Sequence, residues 1–333
     1  MARGPLHRLF GSGRPRGEKR PGEKNSGQKK PGEKKPGEKP PGVARWVSDR
    51  LAQLSYAVLV EPTWLEVNRL QIELPGVELE RPFRVVQISD LHYHGKTPQA
   101  YLKHIVQQVN SVEPDLVALT GDYIHGGGRY IRLAAEWLGQ LRARHGVLAV
   151  LGNHDHAIRA SWSPRLHRNL NERVSAALAA HGIRVLHNEL VVIEHGGERF
   201  QVSGVDDLWS RQCRPAQALA ALDEGCPHIM LAHHPLTIHQ IEGRRCDLML
   251  SGHTHGGQVH SERYGSVTLS KRMRHYAAGL YTFGPQRLYV NKGVGYGWRI
   301  RYNRRPEIAV FDFAGSPTEP ERGSVGESDL AGE

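Results

Sequence analysis

Short apolar runs bounded by glycine or charged residues recur through the middle of the chain. They are Arg84-Val85-Val86-Gln87-Ile88-Ser89, Asp115-Leu116-Val117-Ala118-Leu119-Thr120-Gly121, Gly146-Val147-Leu148-Ala149-Val150-Leu151-Gly152, His228-Ile229-Met230-Leu231-Ala232 and Asp247-Leu248-Met249-Leu250-Ser251-Gly252. Their length and their leucine and β-branched content predict buried strands. Around them the pattern predicts an edge strand over 64–74, a first core strand over 83–89, and helices over 98–112, 129–144 and 164–181. A hairpin is expected from 185–194 and 199–203, a helix over 215–222, and late strands over 266–269, 287–291 and 307–313. Helices concentrated early and strands late give an α/β fold with two sheets face to face and helices outside.

Each of the five runs ends in residues that can bind metals. The first leads into Asp90 and His92, the second into Asp122, and the third into Asn153-His154-Asp155. The fourth leads into His233, and the fifth into His253-Thr254-His255. In open α/β sheets reactive groups collect just past the carboxyl ends of the strands. Asp90, His92, Asp122, Asn153, His233, His253 and His255 are therefore expected at one sheet edge.

Composition changes the picture mainly at the ends. The net charge of +10 is carried almost wholly by residues 1–45, with 13 Lys/Arg against 4 Asp/Glu, leaving 31 against 30 elsewhere. A nearly neutral core argues against a nucleic-acid partner. Residues 1–42 repeat Gly-Glu-Lys-x-Pro with glycines at 17, 22, 27, 32, 37 and 42, and this composition predicts a disordered basic tail. A soluble spacer is one use for it, and attraction to anionic lipid is the other.

Over 43–63 an amphipathic helix and linker are expected, with Val43, Trp46, Val47, Leu51, Leu54 and Val58 at helical spacing. It would pack on the domain behind it or lie in a membrane interface. The main domain is expected over 64–313, with a disordered tail over 314–333. Cys213, Cys226 and Cys246 make no metal or disulfide motif and suit a reducing, cytoplasmic setting. No run approaches the ~18 apolar residues of a membrane span, and no secretory h-region opens the chain.

The chemistry follows from the donor set. Two carboxylates, one amide and four imidazoles without a thiolate suit hard or borderline divalent cations. Seven donors exceed one site, and a carboxylate bridging two cations about 3.5–4 Å apart resolves the count. A water shared by two such cations becomes a hydroxide nucleophile near neutral pH.

Asp90-Leu91-His92, Gly121-Asp122, Gly152-Asn153-His154-Asp155, His233 and Gly252-His253-Thr254-His255 resemble the calcineurin-like metallophosphoesterase signature. Gly256-Gly257-Gln258, and Arg301-Tyr302-Asn303 leading to Arg305-Pro306-Glu307, resemble its YkuE/YaeI-type branch, which is similar to UDP-2,3-diacylglucosamine pyrophosphatases of lipid A synthesis. The resemblance implies a four-layer α-β-β-α sandwich. It implies one metal on Asp90, His92 and His255, another on Asn153, His233 and His253, and Asp122 bridging.

The same resemblance puts His154 beside the scissile phosphate as the catalytic side chain. It implies two divalent ions, commonly manganese with iron or zinc also used, and cleavage of a phosphodiester or pyrophosphate, UDP-2,3-diacylglucosamine or another lipid-linked compound among them. Relatives commonly carry a membrane-spanning helix where this chain has its repeat tail, so peripheral contact at the inner membrane face through residues 1–60 is the form of attachment considered. The Asp-Arg-Gly of protein phosphatases is missing after Gly121, which disfavours a phosphoprotein substrate. A non-catalytic metal-binding scaffold of the same fold, and a nuclease of the superfamily, are the alternatives.

Among neighbouring residues, Asp155 is expected to orient His154 or to cap a turn. His94, His125, His156 and His234 are expected at the surface or behind the ligands. Arg299, Arg301, Arg304 and Arg305 would form a solvated basic face or hold a distal phosphate. Trp162, Leu166, Leu170, Val174 and Leu178 read as the packing stripe of a helix, and the same stripe could face an acyl chain.

Overall fold

The computed structural model describes residues 42–125, 127–159, 169–295 and 297–316. The chain separates into two compact units, Met1–Val47 and Ser48–Glu333. Of the first, residues 42–47 are described and all are exposed; they open helix α1 (Val43–Ser55). The repeat tail and most of the 314–333 segment fall outside the described residues, as do Trp162 and Leu166.

The second unit is built on two six-stranded sheets. The first runs in the order β1 (Glu66–Pro75), β14 (Glu307–Ser316), β2 (Phe83–Ile88), β3 (Leu116–Thr120), β4 (Val147–Val150) and β5 (Ile183–Val185). The second runs β12 (Gly279–Phe283), β13 (Gln286–Val290), β9 (Leu248–Ser251), β8 (His228–Leu231), β7 (Glu198–Gly204) and β6 (Glu189–His195). A two-stranded ribbon, β10 (His260–Ser261) with β11 (Gly265–Ser266), stands apart. The strands β2 to β5 are parallel, as are β7, β8, β9 and β13. All these carboxyl ends therefore deliver their following loops to one edge of each sheet.

Alternation along the strands assigns the layers. Phe83, Val85, Leu116, Ala118, Leu148 and Val150 face Phe200, Val202, Ile229, Leu231, Leu248 and Leu250 in the core between the sheets. Val86, Ile88, Val117, Leu119 and Ala149 point the other way, onto helices α2 (Gln99–Ser111), α3 (Ile131–Leu138) and α4 (Leu170–Ala179). Met230, Met249, Leu288 and Val290 are covered by the short α5 (Pro215–Ala218) and neighbouring turns. These are the four expected layers, with strands buried on both faces and hence continuously apolar.

Several boundaries differ from the pattern. The helix expected over 129–144 stops at Leu138, where the N–H of Gly139 closes on the Ala135 carbonyl. The chain at 185–194 is two strands in different sheets, with Asn188 at positive φ in the crossing. Residues 266–269 contribute only Ser266 to a strand, because the Ser266 and Thr268 hydroxyls bond to Gly256 and Gly257 carbonyls. The last strand runs beyond 313 to Ser316, paired along its full length with β1. Leu170, Val174 and Leu178 are core residues of α4, which leaves that part of the stripe no face for an acyl chain.

Candidate metal centre

The loops after β2, β3, β4, β8 and β9 converge, and the seven expected donors meet there. Asp90, His92, Asp122, Asn153 and His233 are all buried. The Nε2 atoms of His92 and His255 lie 3.0 Å apart, and Asp90 Oδ1 is 3.4 Å from His255 Nε2. On the other side, His253 Nδ1 stands 3.0 Å from Asn153 Oδ1 and 3.3 Å from His233 Nε2. Between the two groups, Asp122 Oδ2 is 3.4 Å from His92 Nε2 and 3.3 Å from His233 Nε2.

The backbone is bent hard to achieve this. Asp90, His92, Asp122, His253 and His255 all adopt positive φ, between 45° and 73°. Such conformations cost free energy in non-glycine residues and persist where the surroundings over-determine them. Two glycines of the motifs make the approach feasible. A Cβ on Gly152 would collide with the Asp122 carboxylate and amide, and one on Gly252 with Ser89 and Asp90.

Hydrogen bonds aim the donors. The Nδ1–H of His233 donates to the Thr120 carbonyl at 2.7 Å, turning the Nε2 lone pair inward. The Asn153 NH₂ donates to the Ile158 carbonyl at 2.7 Å, so its oxygen faces the site. Asp155 accepts from the amides of Asp122 (2.8 Å), Tyr123 (3.0 Å) and Gly152 (2.9 Å). It therefore pins the two loops together, the capping role, and does not orient His154.

Electrostatics fits cation binding. Burial and neighbouring histidines push His92 and His253 well below the usual imidazole range. Burial and Arg301 bring His255 down to about 3. Burial alone would raise Asp122, but His233, His154 and His92 outweigh it and hold the carboxyl well below its ordinary value. The neutral imidazole lone pairs of His92 and His255 converge on the Asp90 carboxylate within 4.8 Å and repel unless a cation lies between them. Burial would lower His233, but the Asp122 carboxylate that it faces raises it well above its usual value against that cost. The donor chemistry suits a divalent ion on each side of Asp122.

His154 differs from the seven expected donors. It is half-buried, its N–H donates to Asp122 Oδ1 at 2.9 Å, and its ring stands edge-on to His92 with centroids 4.7 Å apart. Beside it His125 stacks at 5.7 Å, and His94 follows at 6.3 Å from His125, so these two half-buried rings continue the rim. His156 and His234 are buried behind the site, with His234 packed 4.4 Å from His253.

The four arginines are not one basic face. Arg301 is fully buried and donates to the carbonyls of Arg304, Lys292, Gly293 and Gly295. It thereby fixes the loop whose Gly293 abuts Asp90. Arg304 donates to the Gly256 carbonyl, and Arg305 lies 4.2 Å over Trp64. Of the four, Arg299 is exposed, and its charge reaches His94.

Asp206 and Asp207 were not singled out by the sequence pattern. Burial brings the Asp207 carboxyl up to about 6, against the pull of His233 and His156. Trp209, two residues on, sits edge-on to His253 at 4.6 Å. The signal was present: β7 runs into Asp206 and Asp207, as the other five strands run into Asp, Asn or His. At the opposite end of the strands Asp115, His145 and His195 cluster. There Arg81 Nη2 bonds Asp115 at 3.0 Å and stands 3.2 Å from His195 Nδ1, occupying the place of a cation.

A sandwich with strand-end carboxylates and imidazoles gathered about one aspartate is the scaffold of a metal-dependent phosphoesterase. The model of calcineurin-like phosphoesterases matches residues 83–257, and the chain belongs to that family. It is 30% identical to phosphodiesterase YaeI of Escherichia coli K12, over 78% of this chain and 92% of that one. It is likewise 30% identical to the UDP-2,3-diacylglucosamine pyrophosphatase LpxG of Chlamydia muridarum, over 76% and 90%. The metallophosphoesterase YkuE of Bacillus subtilis is 30% identical over 77% and 88%. The chain is accordingly a metallophosphoesterase, a hydrolase of phosphoesters.

Proposed function

We propose that the protein hydrolyses a phosphodiester or pyrophosphate, with a lipid-linked nucleotide diester of the UDP-2,3-diacylglucosamine kind as substrate. The observation that carries this reading is the place of Asp122, whose Oδ2 is shared between His92 and His233 at nearly equal distance. In this reading Asp90, His92 and His255 hold one ion, and Asn153, His233 and His253 the other, with Asp122 bridging. Manganese is the proposed metal. When bound, such ions neutralise phosphoryl oxygens and acidify water.

The remaining roles fall to the chain itself. The His154 ring, free of the ligand set and half-buried at the mouth, protonates the leaving oxygen or hydrogen-bonds the charge that develops there. The second Asn153 N–H is available to a phosphoryl oxygen. Lys96 and Arg299, whose charges both reach His94, would hold a distal phosphate or anionic headgroup at the rim. The names of two relatives, a phosphodiesterase and a diacylglucosamine pyrophosphatase, support the reaction class and the lipid-linked substrate.

A lipid-linked substrate is drawn from a membrane, and the proposed location is the cytoplasmic membrane face. The test is hydrolysis of UDP-2,3-diacylglucosamine by the purified protein with manganese, then with excess EDTA. Release of UMP abolished by EDTA is expected. No UMP, with metal-dependent cleavage of an aryl phosphodiester, would retain the chemistry and reject the substrate.

A further inference from the structure

An amphipathic helix ordinarily buries its apolar stripe, and this one does not. Every residue over 48–55 is exposed, although Leu51 and Leu54 fall at helical spacing. The turn that continues α1 adds Leu59, 64% exposed, and Val60, 48% exposed. Trp64 follows, and Trp298 stands in a separate loop with 78% of its surface in solvent. No helix of the described residues is long and apolar enough to cross a membrane.

The C-terminal end of this segment is held to the chain that follows Trp298. The N–H of Arg301 donates to the Ala57 carbonyl at 2.9 Å. The buried carboxylate of Glu61 accepts the amides of Asn303 and Arg304. Arg305 covers the ring of Trp64, which itself stands edge-on to Tyr56 at 6.3 Å. The helix end and the Trp298 loop thus share one anchored edge of the sandwich.

We infer that Leu51, Leu54, Leu59, Val60, Trp64 and Trp298 form a docking surface for an anionic lipid bilayer. Isolated leucine and tryptophan prongs beside arginines are the composition of an interfacial element, because leucine enters the acyl boundary while indole and guanidinium remain among headgroups. Charge complementarity selects the occupant. The chain leading into this helix holds 13 Lys/Arg against 4 Asp/Glu over residues 1–45. Each such cation near an anionic membrane strengthens association about fivefold. A repeat with nothing apolar to bury offers charge and no shaped interface.

Docking also orients the enzyme. Arg299 follows Trp298 directly, and its charge reaches His94 on the rim of the metal centre. A bilayer holding Trp298 therefore lies beside the opening from which a lipid-linked phosphoester would enter. The surface is independent of the substrate assignment, since adsorption needs no turnover.

The test is co-flotation of the full-length protein with vesicles of equimolar phosphatidylcholine and phosphatidylglycerol, against vesicles of phosphatidylcholine alone. The variants are Leu51→Asp/Leu59→Asp and, where that pair fails to fold, Trp298→Ala. Salt-sensitive binding to the anionic vesicles is expected. It should fall at least about tenfold in the variants, with hydrolysis of a soluble aryl phosphodiester unchanged. No vesicle binding would overturn the inference, as would binding that neither variant weakens, because the tail alone would then carry it. Concentration-dependent self-association abolished by the variants, without vesicle binding, would assign the surface to a second copy of the chain.

Discussion

Asp122 Oδ2 lies 3.3 Å from Nε2 of His233, a residue delivered by the opposite sheet. Its distance to His92 on the other side is nearly the same. Asp122→Asn keeps the shape but removes the negative charge at the junction and leaves one acceptor oxygen of two, so both metal positions weaken together. Metal content should drop at both positions, and kcat/KM should fall about 10³-fold or more, the equivalent of the several kcal/mol that charge stabilisation supplies. Retained activity with full metal content would remove the bridging assignment.

His154→Ala separates chemistry from metal binding. The ring is half-buried, and the hydrogen bond from this residue to Asp122 is made by its backbone N–H, which alanine preserves. Metal content should be unchanged and kcat lower by about 10²–10⁴-fold. A loss of bound metal measured by elemental analysis would make His154 a ligand instead.

Gly152→Ala puts a methyl group where the Asp122 carboxylate stands. The carboxylate must move or the loop must open, and either change spoils the junction. Metal affinity should fall while the circular dichroism of the sandwich stays the same. Unchanged affinity by titration calorimetry would show that the loops can part freely.

Arg301→Met removes a guanidinium that serves four carbonyls from full burial. Unpaired buried acceptors cost about 1–3 kcal/mol each, so a loss of about 3 kcal/mol in unfolding free energy is expected. Because Gly293 abuts Asp90, metal affinity should drop as well. Denaturant titration showing no change would mean that water replaces the guanidinium.

His187 and Asp206 give a pH signature away from the ligands. His187 Nδ1 is 3.0 Å from Asp206 Oδ1, and that hydrogen bond raises the imidazole above its usual value. Burial would raise Asp206, but His156 and His187 outweigh it and bring the carboxyl down to about 2. The His187 contribution is present below the ordinary imidazole value and lost as pH rises through the raised one. The Asp206 contribution is present above the ordinary carboxylate value and lost as pH falls towards the depressed one. The pair is strongest between about pH 4 and pH 6.5. The excess in Tm of the wild type over His187→Gln should peak there and shrink by about pH 8.5. A constant difference across that range would exclude the ion pair.

The strands that carry the donors were legible in sequence because parallel strands covered on both faces read as unbroken apolar runs. β12 was not, because Leu280 is exposed and its neighbours are half-buried, so an edge strand leaves no such run. The crossing between β5 and β6 was hidden because both strands are extended and only Asn188 marks the change of sheet. Arg301 defeated a reading by residue type. Its charge suggested a surface, whereas its role comes from carbonyls that only the folded loop at 292–295 brings within reach. Asp207 could have been found in the sequence, since β7 runs into it, but its burial beside His233 shows only in the fold.

The donors come in nearly equal parts from both sheets: Asp90, His92, Asp122 and Asn153 follow β2, β3 and β4, while His233, His253 and His255 follow β8 and β9. Cations held among them would act as a cross-link between the two halves of the sandwich. By mass action, an ion present at a hundredfold excess over its Kd adds about 2.7 kcal/mol to the folded state. The melting temperature would then follow the free metal concentration, and a chelator would act on the fold as well as on the reaction. Substitutions deep between Phe83 and Phe200, far from any donor, would be felt at the centre as altered metal affinity.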